Sequence, residues 1–345
     1  MGYAHLPAYL KFPDKVRLTA VCDIREEAVK KFSVTAKVSS IYTDFETMLK
    51  EEDLDAVDIC TIHDQHKLQT IRAAEEGKHI ILEKPMASSL KDCKEMVQST
   101  EKAGVTFMIA QVLRYLPSSQ AVLYALENKE IGPIRAVRGD SLLKQSLILP
   151  PDHWMFDGNR AGGGVLITLS IHMIDLLRYF VGETTKVSCI CKTMSPLFKN
   201  KAEDFASTIL EFKSGAIGNI FGSLSVGRTP WNIKYLIFGE SGTIYSNPPI
   251  PGKGHYQIGN AVISSKKLDK EGRTDQKGEF IPVDSFNNDL VSNDPFMNEV
   301  IHFADCCQAN KEPFSSGKDN LNTMKILFGM YESSVTNKTV YMNDL

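Results

Sequence analysis

Short apolar runs alternate with longer amphipathic segments through about the first 130 residues of the chain. The predicted strands are residues 18–22, 56–60, 80–82 and 106–110. Segments with helical spacing lie between them, at residues 26–32, 68–76 and Leu90–Ala103. Strands separated by helices of this length are typical of βαβ units. The pattern therefore predicts a doubly wound parallel sheet.

The rhythm changes near Gly132 and Pro133. Longer strand candidates follow with no helix between them, at residues 185–191, 207–212, 216–225 and 233–238. Runs of strands without intervening helices favour an antiparallel sheet. We therefore expect an α+β domain with an open, mainly antiparallel sheet to follow the parallel one.

A chain of 345 residues exceeds the size at which a single core usually keeps growing. We predict a first domain at residues 1–130 and a second at residues 131–345. Residues 247–293 are polar and rich in proline, glycine and lysine, which predicts loop with short strands. Residues 295–334 return to helical spacing, and these helices are candidates for packing back on the first domain.

Composition narrows the class of protein. With 43% hydrophobic residues, 23% charged residues and a net charge of -3, the chain gives no reason to expect nucleic acid or a membrane as partner. No apolar stretch approaches the roughly 18 residues of a membrane span, and the start lacks the features of a secretory signal. The seven cysteines are scattered, so we expect free thiols in the cytoplasm and no metal site.

The tripeptide Glu83, Lys84, Pro85 directly follows the apolar run at residues 79–82. A strand ending there places the lysine at the carboxyl edge of the sheet, where open α/β sheets bind ligands. An ordinary solvated lysine is the alternative. The strand-end position and the following proline, which fixes the backbone, favour a functional Lys84.

A glycine run at residues 162–164 opens a strongly apolar segment that contains Thr168, His172 and Asp175. At about 100° per residue these three fall on one helix face. A helix that is apolar almost all round is buried, so its polar stripe needs partners or a cavity. His172 suits a general base for an alcohol proton, the alternative being a core histidine held by Asp175. His5, by contrast, has no partner pattern and is expected to be structural or exposed.

Two further residues are candidates for substrate contacts. Arg114 follows the predicted strand 106–110 and is placed to contact hydroxyl groups, although a solvated arginine or a salt bridge fits equally well. Trp154 precedes the glycine run and suits the wall of a sugar site, with a core aromatic as the alternative.

A dinucleotide-binding fold opens with a strand, a glycine-rich turn and an acid about 20 residues later. Asp23 ends a predicted strand, and Gly2 precedes it at the spacing of the last glycine. The first strand and the other glycines would precede Met1, so we interpret the chain as truncated or mis-started rather than as a departure from dinucleotide binding. Asp23 favours NAD by accepting the ribose 2′-hydroxyl, while the nearby Arg25 leaves NADP open.

At this point the chain resembles the Gfo/Idh/MocA family, the glucose-fructose oxidoreductase and inositol dehydrogenase group. The matching residues are 1–5, 20–23, 60–66, 77–85, 132–134 and the glycine run through His172 and Asp175. The resemblance implies a Rossmann-type domain followed by an open, mainly antiparallel sheet. It also implies oxidation or reduction of a secondary alcohol or carbonyl on a sugar or polyol, in a homodimer or homotetramer.

The resemblance also implies roles for individual residues. Lys84 takes the catalytic position beside the nicotinamide, and His172 the position of the proton-transferring histidine. The resemblance places four residues along the cofactor cleft, namely Thr61, His66, Glu83 and Gln111. Thr168 stands where the family commonly has aspartate, and residues 61–63 read Thr-Ile-His where the family usually has Thr-Pro-Asn.

Two functions follow from these observations. The first is an NAD(P)-dependent oxidoreductase in which Lys84 and His172 handle the proton of the substrate. The second is a non-catalytic regulator on the same fold that binds a dinucleotide or a sugar. The departure at Thr168 and the missing phosphate loop favour the second, and the other motifs favour the first.

Overall fold

A computed structural model of the chain describes residues 1–227, 232–246, 261–264, 278–280 and 290–345. It divides into two compact units. The first contains Met1–Val112 and Val291–Leu321, and the second contains Leu113–Leu290 and Asn322–Leu345.

The first unit opens with alternating helices and strands. They are α1 (Gly2–Lys11), β1 (Ala20–Cys22), α2 (Glu26–Ala36), β2 (Ser40–Tyr42), α3 (Phe45–Glu51), β3 (Ala56–Ile59), α4 (His66–Glu75), β4 (His79–Glu83), α5 (Leu90–Ala103) and β5 (Phe107–Ala110). All the strand pairs are parallel, with β1 beside β2, and β4 between β3 and β5. Four of the five β4 residues are buried, as expected for a parallel strand covered on both faces.

Capping residues explain why some of these elements begin and end where they do. The Ser89 side chain accepts a hydrogen bond from the backbone N–H of Asp92 at the start of α5, and Gly104 ends the helix in the left-handed conformation. The predicted bounds of this helix are correct. Two short elements, β2 and α3, were not predicted; Asp44 caps α3 by accepting from the N–H of Thr47.

The second unit is built on one large sheet. Its elements up to residue 290 are α6 (Pro117–Glu127), β6 (Ile134–Leu142), α7 (Gly158–Ala161), α8 (Ile171–Val181), β7 (Thr184–Lys192), β8 (Phe205–Phe212), β9 (Ile217–Ser223), β10 (Asn232–Gly239), β11 (Thr243–Ser246), β12 (Ala261–Ser264) and β13 (Gly278–Phe280). The chain then continues through α9 (Pro295–Ala309), α10 (Gly317–Thr336) and β14 (Val340–Tyr341). Helix α9 belongs to the first unit, where it packs against α1.

The order of the strands in this sheet is β13-β12-β11-β10-β6-β9-β8-β7-β14. Every neighbouring pair is antiparallel except β6 and β9, which run parallel. The predicted fold class, a Rossmann-type parallel sheet followed by a mainly antiparallel one, is confirmed. Strand β6 was not predicted. Of the predicted loop at residues 247–293, the structure describes β12, β13 and residues 290–293, and the remainder lies outside the described residues.

One helical stretch in the described part of the chain, Gly158–Val181, is long and apolar enough to span a membrane. The expectation that no stretch approaches this length was wrong. However, 89% of its most apolar window is buried inside the protein, as in a core helix. Its apolar surface is therefore covered by the rest of the molecule.

Candidate active site

Lys84 lies directly after β4, at the carboxyl end of the parallel sheet β3-β4-β5. Its backbone N–H donates to Glu83 Oε2 over 3.1 Å, and the peptide bond to Pro85 is cis. The side chain is half-buried. Burial lowers the pKa of Lys84, and the Glu83 carboxylate opposes that shift. A lysine with a lowered pKa at this edge suits proton transfer better than a fully solvated one.

His66 connects the loop after β3 to the turn that follows Lys84. Its Nδ1 lies 2.8 Å from the carbonyl oxygen of Pro85, and its Nε2 lies 3.2 Å from that of Thr61. Burial lowers the pKa of His66, so the ring is neutral near pH 7 and carries one N–H, which we assign to the shorter contact. Thr61 itself is exposed, and its hydroxyl donates to Gln69 Oε1 over 2.6 Å. His66 therefore holds backbone, whereas Thr61 presents a side chain at the surface.

Asp23 follows β1 and pairs with Arg25. Its carboxylate accepts from the backbone N–H of Arg25 at 2.9 Å and from the guanidinium at 3.2 and 3.3 Å. Burial acts to raise the pKa of Asp23, but the hydrogen bonds from Arg25 outweigh it and lower that pKa. Gly2 is the first residue of α1, and a Cβ there would meet only the Phe32 ring, at 3.4 Å. The predicted role of Gly2 stays a prediction.

Gln111 directly follows β5, and its side chain is almost completely buried at 1% exposure. Neither its amide nitrogen nor its amide oxygen has a hydrogen-bond partner among the described residues. A buried amide without partners is costly, so native proteins usually satisfy it with another group or a ligand. This amide is the feature of the first unit that points most directly to a bound polar group.

In the second unit, the glycine run lies against Glu203. The Glu203 carboxylate accepts hydrogen bonds from the backbone N–H groups of Gly164 (2.7 Å) and Leu166 (2.8 Å). The backbone carbonyl of Glu203 accepts a third hydrogen bond, from the N–H of Val165, over 2.7 Å. The hydroxyl of Tyr331 donates to the same carboxylate over 3.0 Å. Burial outweighs these donors and raises the pKa of Glu203 to about 7. Glu203 thus satisfies the free N–H groups at the start of the long apolar helix.

The helix that carries Thr168 and His172 is irregular between them. Residues Leu166–Ser170 form a π-helical turn, and α8 begins at Ile171. The expectation that both residues share one regular α-helical face was therefore wrong. Strand β9 lies close to this turn, since a Cβ at Gly222 would stand 2.3 Å from Ser170 Oγ. The Thr168 hydroxyl donates to the carbonyl of Gly164 over 2.7 Å, and His172 is buried with 4% exposure. Wide turns of this kind are frequent at functional sites.

Arg114 and Asp175, both predicted to contact substrate, form a buried ion pair with each other. The guanidinium donates from Nε over 2.7 Å and from Nη2 over 2.6 Å to the two carboxylate oxygens. The Thr323 hydroxyl adds a third hydrogen bond to Asp175 over 2.8 Å, and the Tyr179 ring lies 4.7 Å from the guanidinium carbon. The ion pair therefore anchors α8, the helix that also carries His172, through Asp175. Trp154 is half-buried, with its ring 5.5 Å from that of His153.

Comparison with known proteins gives the family. The model described as "Oxidoreductase family, NAD-binding Rossmann fold" matches residues 1–111, and that of the "GFO/IDH/MocA C-terminal domain" matches residues 119–245. The chain belongs to the Gfo/Idh/MocA family. The predictions of this family, of an oxidoreductase and of NAD as cofactor are confirmed.

Similar proteins in this family include named dehydrogenases. Levoglucosan dehydrogenase of Pseudarthrobacter phenanthrenivorans is 29% identical over 72% of this chain and 71% of its own length. Myo-inositol 2-dehydrogenase of Thermotoga maritima is 27% identical over 69% of this chain and 70% of its own. A solved levoglucosan dehydrogenase in complex with NADH and L-sorbose has a TM-score of 0.87 at 22% identity, covering 99% of this chain and 96% of that one, which shows the shared fold.

Two residues of this Gfo/Idh/MocA protein have side chains that fit a bound NAD. The unpartnered buried amide of Gln111 and the Asp23 carboxylate both follow parallel strands of the Rossmann unit. An amide offers one donor and one acceptor to a polar ligand, and an aspartate at the end of β1 accepts from ribose hydroxyls.

Sequence reasoning missed two buried residues, Glu203 and His5, that contact the candidate site residues. Glu203 satisfies the start of the His172 helix, and His5 contacts Glu83 and Glu299. Glu203 lies far from the glycine run in sequence, and no local pattern marks its partner. In the part of the chain that the structure describes, His5 also forms a group of possible metal ligands with Asp58 and Cys60, within 4.8 Å of one another. Asp58 already accepts hydrogen bonds from both, so we assign no metal to it.

Proposed function

We propose that this protein is an NAD-dependent dehydrogenase or reductase for a secondary alcohol or carbonyl of a sugar or polyol. The observation that carries the proposal is the half-buried Lys84 at the carboxyl edge of β4, whose pKa is lowered by burial. The named sugar and polyol dehydrogenases among the relatives support the substrate class. The NAD-binding match to the first unit supports the cofactor.

In this proposal the protein's own residues handle the proton. Oxidation of an alcohol to a carbonyl removes one hydride from carbon and one proton from oxygen. When bound, NAD supplies the acceptor of the hydride. Lys84 Nζ in its neutral form accepts the hydroxyl proton, and the imidazole of His172 provides a second group for the same task. In the reduction direction the group that holds this proton returns it to the carbonyl oxygen.

The cofactor is held, in this proposal, by residues of the Rossmann unit. Asp23 accepts from the ribose hydroxyls, and the Gln111 amide satisfies polar groups of the cofactor. Thr61 offers a hydroxyl at the surface beside His66, which fixes the backbone of the Lys84 turn. Thr168 and Trp154 remain proposed substrate contacts, whereas Arg114 and Asp175 support α8 through their ion pair.

The first test is turnover. We expect the protein to reduce NAD with at least one member of a panel of aldoses, inositols and anhydrosugars, measured as absorbance of NADH at 340 nm. Calorimetric titration with NAD on the same preparation measures binding separately. Binding of NAD without turnover across the whole panel, in both reaction directions, would support a non-catalytic regulator and contradict the proposal.

The second test concerns cofactor choice. Replacing Asp23 with asparagine removes the charge that repels a 2′-phosphate and releases Arg25 to contact one. We expect the ratio of kcat/KM for NADP to that for NAD to rise about 10- to 100-fold, which corresponds to ~1.4–2.8 kcal/mol. The same change at Asp305, an exposed acid that pairs with Lys15, is the matched control and should leave the ratio unchanged. An unchanged ratio of kcat/KM values in Asp23→Asn would show that Asp23 does not discriminate between the ribose 2′-hydroxyl and a 2′-phosphate.

A cytoplasmic homodimer or homotetramer remains part of the proposal. Exposed isoleucines on three adjacent strands of the second unit support self-association. They are Ile190 on β7, Ile209 on β8 and Ile217 on β9.

A further inference from the structure

A fully buried histidine in the first unit faces three carboxyl groups from three different elements. His5 lies on α1, and its Nδ1 is 2.8 Å from Asp58 Oδ2 on β3. On the other side of the ring, Nε2 is 3.4 Å from Glu83 Oε1 at the end of β4 and 3.4 Å from Glu299 Oε1 on α9. The sequence separates these residues widely, and the fold brings them around one imidazole.

Asp58 provides the charge that keeps this ring cationic. It accepts hydrogen bonds from His5, from the Tyr9 hydroxyl at 2.8 Å and from the Cys60 thiol at 3.3 Å. Burial acts to raise the pKa of Asp58, but His5 outweighs it and lowers that pKa. Burial likewise acts to lower the pKa of His5, and Asp58 outweighs it, so the pKa of His5 lies well above its ordinary value. The ring therefore carries an N–H on both nitrogens near pH 7.

The second N–H, on Nε2, faces two glutamates at the same distance. Burial raises the pKa of Glu299 to about 7, and neither of its oxygens has a hydrogen-bond partner in the described part of the chain. Below about pH 7 Glu299 is therefore mostly neutral. Among the described residues Nε2 makes no hydrogen bond of regular geometry to either glutamate, so its link to the Glu83 carboxylate is the attraction between charges 3.4 Å apart.

Glu83 joins this cluster to the proposed catalytic lysine. Its Oε1 faces His5, and its Oε2 accepts the backbone N–H of Lys84 over 3.1 Å. We propose that His5 is a positioning residue for Lys84: the imidazole faces Glu83 Oε1 and keeps the carboxylate turned with Oε2 toward the backbone N–H of that lysine. This inference rests on the proposed role of Lys84. Because the Glu83 carboxylate opposes the lowering of the Lys84 pKa, the cluster also tunes the proton affinity of the lysine.

The experiment is a direct titration of Lys84 in His5→Gln. Lysines are reductively methylated with ¹³C, and the Lys84 signal is assigned by its loss in Lys84→Arg. Without the imidazole, the Glu83 carboxylate loses the ring that faces its Oε1, and it can turn away from Lys84. A Glu83 carboxylate that has turned away no longer favours the ammonium form of the lysine, so we expect the pKa of Lys84 to fall by about one unit, a tenfold change in its dissociation constant.

Two further variants show whether His5 acts through Glu83. In Glu83→Gln the pKa of Lys84 should also fall, and adding His5→Gln should change it no further, since coupled residues are not additive. His79→Gln, which removes a histidine at the opposite end of β4, is the matched control and should leave Lys84 unchanged. A His5→Gln shift that persists in the Glu83→Gln background, or no shift at all, overturns the proposal.

Two readouts keep this test separate from that of the enzyme's function. If the protein turns over, the limb of the pH profile of kcat assigned to Lys84 should move to lower pH by the same amount in His5→Gln. If no turnover is found, the lysine titration still decides the role of His5. Should His5→Gln fail to fold, histidine NMR of the unchanged protein decides whether the ring carries the charge that the proposal needs: a midpoint well above the ordinary value of about 6.5 supports the proposal, and a midpoint near or below that value overturns it.

Discussion

Replacing Lys84 with alanine is expected to lower kcat for alcohol oxidation about 100- to 10,000-fold, the usual contribution of a positioned acid or base. The side chain sits at the carboxyl edge of β4 with its backbone held by Glu83. Removing it takes away the proton acceptor while leaving the strand and the cis turn in place. Initial rates of NADH formation on a substrate found in the panel measure the loss. Lys91→Ala, which removes an exposed lysine of α5, is the matched control and should be as active as the unchanged protein.

The variant Lys84→Arg distinguishes a role of Lys84 in proton transfer from a role of its positive charge alone. Arginine keeps the positive charge but does not deprotonate in proteins, so its activity should stay close to that of the alanine variant. In the unchanged enzyme, oxidation needs the neutral amine, so kcat should rise with pH through the pKa of Lys84. Because burial lowers that pKa, the limb should lie below the ordinary range of lysine. His172→Ala should give a second large loss. Full activity in Lys84→Arg would show that Lys84 does not accept the substrate proton.

Elements marked by local signals could be predicted from the sequence. Helix α5 has a serine cap at its start and a glycine in the left-handed conformation at its end, and both residue types are recognisable helix-boundary signals in the sequence. Strand β2 has only three residues, too few for any alternation to appear. Strand β6 contains two arginines and an aspartate, and its pairing with β9 depends on residues far along the chain. The cap of α3 by Asp44 was a local signal that could have been found.

The site divides in the same way. The place of Lys84 at the end of a parallel strand was predictable because the strand and the tripeptide that ends it are contiguous in sequence. Its supporting contacts were not, since His5 and Asp58 are 53 positions apart and Arg114 and Asp175 are 61 apart. The π-helical turn before His172 could not be predicted either, because a regular period of 100° per residue describes only an α-helix. Local spacing therefore predicts candidate site residues, and only the fold shows which contacts hold them.

The glycine run before His172 provides the second large prediction, because the structure leaves no room for a side chain there. A Cβ on Gly164 would lie 1.8 Å from the carbonyl oxygen, 2.4 Å from the nitrogen and 2.6 Å from the carbonyl carbon of Glu203. All three are backbone atoms, so no side chain can move away to relieve the clash. The same glycine donates its N–H to the Glu203 carboxylate. Glycine at position 164 is therefore required for steric reasons.

Gly164→Ala is therefore expected to destabilise the second unit by more than about 4 kcal/mol, a loss seen only where the core or a buried network is disrupted. Typical domains have only about 5–15 kcal/mol in total, so the variant should yield little folded protein or unfold at much lower urea concentration. Circular dichroism along a urea gradient measures this. Gly227→Ala is the matched control, since no atom of the described residues stands within 4 Å of a Cβ there, and it should unfold like the unchanged protein. A Gly164→Ala variant within about 1 kcal/mol of the unchanged protein would mean that Glu203 can move away from the glycine run, and the helix start would then be far more adaptable than its three hydrogen bonds to Glu203 imply.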